Sequence, residues 1–325
     1  MKRMFCVIAG GLAFSAACAQ AQTQAYPTRP VNLIVPFPAG GPSDALARVV
    51  GQFMGTHLGQ QITIENVGGA GGTVGAARGA QARPDGYTML LAHVGQATSA
   101  TLYRKLPYHP VDAFDAVGLL AEVPMTIVGR KDLPQKDIRE LIGYIKANKG
   151  KVSYANGGIG SASHLCGLLF MSTLQSDMHT ISYRGSGPAM VDILGGRVDV
   201  LCDQTTTTAA HIKSGTIKGY AVTMKNRVPS VPDLPTLHDS GLRDFELSVW
   251  YGLVAPKGSP KAAIDALSTA LRATLSDAAF LKRLEEFGAQ PASQERATPA
   301  NFGGYLKAEV AKWAPVIKAA GVYAD

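Results

Sequence analysis

The sequence predicts an α/β protein built from two sheet-and-helix units with a cleft between them. Strands alternate with helices along most of the chain, as in βαβ units on a parallel sheet. Three strands run straight into glycine-rich turns that open helices: Val35-Pro-Phe-Pro-Ala-Gly-Gly-Pro-Ser-Asp44, Gly68-Gly-Ala-Gly-Gly-Thr-Val-Gly75 and Asn156-Gly-Gly-Ile-Gly-Ser-Ala-Ser-His164. The pattern also occurs twice, once at the start of the chain and once in its middle. The economical arrangement has the chain cross to the middle unit near Val123 and return near Asn226. Residues 22–123 and 227–325 then form lobe 1, and residues 124–226 form lobe 2, with loop tips from both facing the cleft.

In order, the apolar run Val31 to Val35 is a short buried strand ended by Pro36 and Pro38. Ala39-Gly40-Gly41 lets the backbone turn tightly. Ser43 or Asp44 caps a helix beginning at Ala45. Gln61 to Asn66 and Tyr87 to Ala92 are further strands, with a helix at about Val74 to Ala82 and a turn at Arg83-Pro84-Asp85-Gly86 between them. Leu119 to Val128 is a strand that changes direction around Pro124, followed by a helix at Asp137 to Asn148. The middle unit then reads as strands at Val152–Ala155, Thr180–Tyr183, Val198–Cys202 and Lys218–Thr223. Helices at Ser163–Leu174 and Ala189–Leu194 lie between them. A proline-rich connection, Pro229 to Pro235, leads to a strand at Ser248–Val254. The C-terminal part is helical: Pro260–Asp277, Ala278–Gly288 and Pro299–Ala320.

The chain has 325 residues, 46% of them hydrophobic and 17% charged, which suits a compact protein with a substantial core. Met1-Lys2-Arg3 and the apolar stretch Cys6 to Ala17 read as a signal peptide, residues 1–21, with Ala19-Gln20-Ala21 as the cleavage site. That places the mature protein in the periplasm. Ser15-Ala16-Ala17 before Cys18 lacks the aliphatic residue of a lipobox, so a lipoprotein is the lesser alternative. The formal charge of +7 falls by two with Lys2 and Arg3, and no basic run carries interleaved aromatics. Nucleic acid is therefore not an expected partner. Cys166 and Cys202 remain after cleavage. An oxidising compartment permits a disulfide between them, and spacing alone leaves it open. No ligand spacing for a metal is present, and no cofactor is expected.

Strand, glycine turn and helix together leave N–H groups free at a positive helix end, which is an anion site made of backbone. Other chemistries fit less well. Gly69, Gly71 and Gly75 approximate a dinucleotide fingerprint, but the next strand ends at Ala92-His93 without an acidic residue, so a tight turn with close helix packing is the better reading. Ser161, Ser163 and His164 invite an exported serine hydrolase, yet no G-x-S-x-G elbow exists and the three suit a helix cap. His93 is either a ligand contact or a histidine hydrogen-bonded in place. Arg184 can pair with a substrate carboxylate, with Asp203 or with Asp192. Trp250 and Tyr251 read as core.

Taken together, Tyr26-Pro-x-Arg-Pro30, the first glycine loop, Pro84-Asp-Gly-Tyr-Thr88 and Asn156-Gly-Gly-Ile-Gly-Ser-x-Ser-His-Leu165 resemble the Bug-type (TctC-like) extracytoplasmic solute receptors of tripartite tricarboxylate transporters. Tyr183-Arg-Gly-Ser-Gly-Pro-Ala189, Gly195-Gly-Arg-Val-Asp199, Leu234-Pro-Thr236 and Trp250-Tyr-Gly252 follow in the family's order. The resemblance implies a two-lobed periplasmic-binding-protein fold of type II, a Venus flytrap. It implies a monomeric receptor, not an enzyme, that captures a small carboxylate (dicarboxylate, amino acid or aromatic acid) for integral membrane transporter subunits. An orphan sensor would share the fold. Carried over, the first-loop ligand residues are Phe37, Ala39, Gly40, Gly41, Ser43 and Asp44. Those of the middle lobe are Asn156, Gly157, Gly160, Ser161, Ser163 and His164. Tyr183, Arg184 and Asp203 fall at cleft-facing positions, and His93 and Gln96 in a variable loop. Gly95 to Ala100 departs from the family's pattern and Thr205 to Thr208 is unusually polar, which suggests a hydroxyl-rich distal pocket around Gln96 and Thr205.

Overall fold

The computed structural model describes residues 26–324 except Asp244 and Val322. The expected signal peptide, residues 1–21, lies outside the described residues. The first part of the chain runs β1 (Val31–Val35), α1 (Pro42–Leu58), β2 (Ile62–Asn66), α2 (Thr73–Ala80), β3 (Thr88–His93), α3 (Val94–Leu102) and β4 (Phe114–Arg130). The middle runs α4 (Ile138–Ala147), β5 (Ser153–Asn156), α5 (Ala162–Leu174), β6 (His179–Ser182), α6 (Ser186–Leu194), β7 (Val200–Gln204), α7 (Thr205–Lys213) and β8 (Ile217–Val222). The last part is β9 (Ser248–Pro256), α8 (Lys261–Thr274), α9 (Ala278–Glu286), β10 (Gln290–Pro291) and α10 (Pro299–Ala320).

Two lobes share one strand. The first sheet is ordered β2-β1-β3-β9-β4, and the second continues from β4 through β7 and β5 to β6, with β8 also on β4 and β10 at its other end. β4 pairs with β9 from Phe114 to Pro124 and then with β7 and β8 from Met125 onward. The strand therefore leaves one sheet at Pro124, a residue with no N–H to give, and enters the other at the next residue. Each lobe's βαβ units are parallel, as β1 with β2 and β3, and β5 with β6 and β7. The pairings of β9 with β3, and of β4 with β7, β8 and β9, are antiparallel. The expected mostly parallel sheet is thus corrected at its centre. Strands that connect the lobes pass each other in opposite senses.

The return crossing comes later than its sequence position suggested. Val228, Val231 and Leu234 pack with Ala209 of α7 and Val222 of β8. Leu237 N–H donates to Val222 O, and Leu247 N–H to Thr223 O. β9 then starts at Ser248, opposite Pro124. These contacts argue for a return crossing at Ser248 rather than near Asn226, with residues 227–247 packed on lobe 2.

The core follows the periodicities of the elements. α1 buries Leu46, Ala47, Val50 and Met54 on one face and stops at Gly59, whose φ of 68° makes the left-handed cap. On β9 the side chains alternate. Trp250 stacks edge-on with Phe302 and donates its indole N–H to the buried Glu309 carboxylate, which also accepts from Trp313. Gly252 lies under the same Phe302 ring, where an added Cβ would come within 2.1 Å. At Gly75 an added Cβ would come within 2.6 Å of Val67 O, as a tight turn with close helix packing requires. Cys166 of α5 and Cys202 of β7 form a disulfide with Cα atoms 6.2 Å apart, closing a loop of 36 residues. The double variant Cys166→Ser/Cys202→Ser is expected to lose roughly 2–4 kcal/mol, as loop-closure entropy returns to the unfolded chain. A lowered urea midpoint with an unchanged circular dichroism spectrum is the measurement.

Candidate functional site

Between the lobes lies a cavity of about 20 Å³, room for about one water. Five helix N-termini converge on it. α1 contributes Gly41 to Ser43, α3 its cap His93, α5 Ser161 to Ser163, α6 Gly185 to Gly187, and α7 its cap Gln204. The first N–H groups of each helix have no intrahelical partner, and each N-terminus carries a fractional positive charge. Among the described residues, no Lys, Arg, Asp or Glu lines the cavity. The helix start at the first glycine loop is therefore one of five positive ends at the cavity, all supplied by backbone.

Local chemistry sets each end. α1 begins at Pro42, three residues earlier than the expected Ala45, with Gly41 as N-cap and proline at the first helical position, where no N–H is needed. Neither Ser43 nor Asp44 is the cap. Asp44 sits in the first turn. Its carboxylate accepts from Gly40 N–H, from Asn66 and from Arg48, and these donors hold it below the usual carboxylate range against the opposing effect of burial. Its charge is spent inside the loop and does not face the cavity. Ser161 caps α5 by accepting from His164 N–H, and Ser163 accepts from Gly157 N–H. Gly185, at a φ of 121°, passes under Pro38 of the opposite lobe, where a Cβ would come within 3.0 Å.

A hydrogen-bond chain spans the cleft. The Ser43 hydroxyl lies 2.9 Å from the Tyr251 hydroxyl, which donates to Gln204 Oε1 at 2.9 Å. Ser43 and Tyr251 belong to lobe 1 and Gln204 to lobe 2. Burial pushes the Tyr251 phenol well above its ordinary value, so it remains a neutral donor. His93 caps α3 through Nδ1, which accepts from Gly95 N–H, and its ring packs 4.8 Å from Phe37. Burial lowers its pKa to about 3, and that of His164 to about 4, so both imidazoles are neutral at pH 7. Asp203, fully buried at the end of β7, is pushed up to about 6 by the same cause.

Of the residues expected at the site, Phe37, Gly41, Ser43, His93, Ser161 and Ser163 line the cavity. Gly157, Tyr183 and Arg184 instead line a second chamber of about 310 Å³ that opens outward, with Phe37 common to both. There Arg184 is exposed. Asp192, one of its expected partners, pairs with Tyr183 and Arg197 instead, and Asp203 accepts from Thr207. Ala39 and Gly40 are exposed beside the loop and line neither space. Asn156 turns its Oδ1 onto Gly158 N–H, and His164 Nδ1 accepts from Gly160 N–H, so all three fix the loop from behind. Gln96 donates to Pro110 O and Thr205 to Pro124 O. Both bond to backbone, and neither lines the cavity or the outer chamber. Ser161 has the His164 amide and the Ser163 hydroxyl as its partners, as a cap does. Gln204, Tyr251, Ser186 and Gly187 were not singled out as ligand positions. Tyr251 could have been found by strand alternation, since it faces away from Trp250 and Phe302.

Two lobes joined by crossing strands, with the helix starts of both turned to one interior cavity, define a two-lobed periplasmic-binding-protein fold. The family model of the tripartite tricarboxylate transporter family receptor (TctC) matches residues 46–322, and the chain belongs to that family. A protein encoded in the TAR-I ttuE-ttuC' intergenic region of Agrobacterium vitis is 48% identical over 303 residues, covering 93% of this chain and 87% of that one. The periplasmic binding protein BugD superposes with a TM-score of 0.89 at 47% identity, covering 92% of this chain and 99% of its own. MatC from Rhodopseudomonas palustris, solved with bound malate, superposes with a TM-score of 0.85 at 35% identity, over 90% of this chain and all of its own.

Two outcomes follow from this geometry. Gly71 has a φ of 62°, and an added Cβ would lie 2.1 Å from Ile159 O on the opposite lobe. Gly71→Ala is expected to cost about 1 kcal/mol in the fold and to hold the lobes apart, read as a larger radius of gyration by X-ray scattering. The buried histidines set the acid limb of stability. Their folded pKa values lie below the unfolded value of about 6.5, so their contribution is complete above pH 6.5 and falls as pH drops toward 4. Asp203 works in the opposite sense between 3.8 and about 6, and offsets part of this. His93→Gln should therefore lose less stability between pH 7 and 5 than the parent, by up to about 1.4 kcal/mol per pH unit, measured by urea midpoints at both pH values.

Proposed function

We propose that this protein is a periplasmic receptor that captures a small carboxylate and delivers it to integral membrane transporter subunits, acting as a monomer and without chemistry of its own. One observation carries this reading. Five helix N-termini meet on an interlobe cavity that, among the described residues, no charged side chain lines. Such a site attracts an anion through fixed N–H groups, each end contributing about 0.3–1 kcal/mol when exposed and up to ~2 when enclosed. The carboxylate would dock between the α1 start and the α5 and α6 starts. The rest of the ligand would extend past Phe37 into the outer chamber, toward Tyr183 and Arg184. The malate bound by MatC supports a carboxylate as the ligand class. Closure would be favoured by the difference in ligand affinity between open and closed forms, with the Ser43–Tyr251–Gln204 chain completed only in the closed one. Ser161 is committed to capping, which favours the receptor over a hydrolase.

A thermal-shift screen of the mature chain against dicarboxylates, citrate, aspartate, nicotinate and phthalates tests the proposal, with NAD and neutral sugars as controls. One carboxylate class should raise the melting temperature, by the equivalent of roughly 2.7 kcal/mol at a hundredfold excess over Kd. The acid should be recovered unchanged from the complex. A response to NAD or sugars alone, or turnover of the acid, would overturn it.

A further inference from the structure

Asp203 is a buried acidic side chain next to the cavity wall. It closes β7 with 1% of its surface exposed. Its Oδ2 accepts from the Thr207 hydroxyl, and its Oδ1 has no hydrogen-bond partner. The next residue, Gln204, lines the cavity and takes the Tyr251 hydroxyl, and Ser186, another wall residue, lies beside the carboxyl. The carboxyl thus lies one residue from a side chain that lines the cavity and beside a second.

The elements packed around Asp203 bring no compensating charge. β4 gives Thr126, α7 gives Thr207 and Thr208, β5 gives Tyr154, β9 gives Tyr251 and α6 gives Ser186. Arg184 is exposed in the outer chamber, and Asp192 and Arg197 pair with each other at the C-terminal end of α6. His93 and His164 stay neutral down to about 3 and 4. A bound carboxylate thus puts a second negative charge next to Asp203 in a water-poor site, and two such charges do not both persist there.

We propose that Asp203 fixes the net charge the closed cleft accepts: a simple carboxylate enters with one proton taken up by Asp203, whereas an α-amino acid enters without it because its own ammonium group neutralises Asp203. This rests on the carboxylate-receptor reading above. The folded, ligand-free carboxyl titrates near 6, so at pH 7 it is mostly ionised and has a proton to gain from the buffer. Affinity for a simple acid then rises as pH falls from 8 to 6, by up to about tenfold per unit, and affinity for an α-amino acid stays flat.

Isothermal titration at pH 7 in phosphate and in Tris, whose ionisation heats differ, counts the protons directly. The probes are succinate, malate, adipate and phthalate on one side and L-aspartate and L-glutamate on the other. Each simple acid that binds should take up between half a proton and one, and each amino acid close to none. Asp203→Asn should bind the simple acids with no uptake and no pH dependence, and should bind the amino acids at least tenfold more weakly. Binding of a simple acid without proton uptake in the wild-type chain overturns the proposal. So does uptake with an amino acid, or uptake that survives in Asp203→Asn. Should the variant fail to fold, the wild-type proton counts decide alone. No binding heat for any probe in either buffer would overturn the receptor reading itself, an outcome distinct from binding without a proton.

Discussion

The cleft depends on one strand being hydrogen-bonded in two sheets. β4 pairs with β9 up to Pro124 and with β7 and β8 from Met125, so the lobes are joined by continuous backbone. Thr223 holds the junction. Its N–H donates to Met125 O, and its hydroxyl accepts from Met125 N–H and donates to Leu247 O. Both crossings, at Pro124 and Ser248, are thus tied to one buried residue. A joint of this kind confines the direct link between the lobes to a short stretch of two strands. It also keeps their loop tips in register, because that link is backbone. Every contact across the cavity, from Pro38 against Gly185 to Gly71 against Ile159, inherits its alignment from it.

The site then solves an electrostatic problem without cations. A lysine or arginine in so small a cavity would have to be stripped of water, at several kcal/mol, whenever no anion was present. Helix ends carry no such penalty, since their N–H groups are oriented by the fold and their charge is fractional. The one acid in the first loop, Asp44, is neutralised by Gly40, Asn66 and Arg48 and so does not oppose an anion. The neutral imidazole of His93 adds bulk and a cap, and no charge.

Much of this was legible in the sequence, and what was missed has common causes. Strand, glycine turn and helix announce themselves through proline, glycine and apolar runs, so β1, β5 and the helices after them could be read directly. The crossing at Pro124 was marked by a proline inside an apolar strand. α3 and α7 were missed as helices because Val94 to Leu102 and Thr205 to Lys213 lack an apolar stripe. Both are held by position at strand ends, with Gln96 bonded to the nearby Pro110 and Thr208 to the distant Thr126. Ser43 and Asp44 looked like caps because their residue types favour it, yet Pro42 ahead of them starts the helix. Tyr251 and Gln204 escaped for a different reason. Their partnership joins residues 47 apart on opposite lobes, and only the register of β4 with both β7 and β9 brings them together.

Recognition is divided between backbone and side chains. The inner cavity is walled by helix starts whose N–H groups exist whatever residues follow, provided the glycines that let the loops touch remain. Gly157 packs 3.1 Å from Ser186 N, and Gly160 packs 2.9 Å from Leu102, distances measured to an added Cβ. The chemistry that distinguishes one acid from another therefore falls to few side chains. Phe37 stands between the two chambers, Tyr251 and Gln204 bridge the lobes, Asp203 lies behind the wall, and Tyr183 and Arg184 line the way out. On the proposed reading, a head group common to all carboxylates would be met by geometry that side-chain substitution barely alters. The rest of the ligand would be met by residues that can change without disturbing the strands that carry them. A fold arranged in this way can change its ligand while keeping its anion site, because the two tasks are assigned to different atoms.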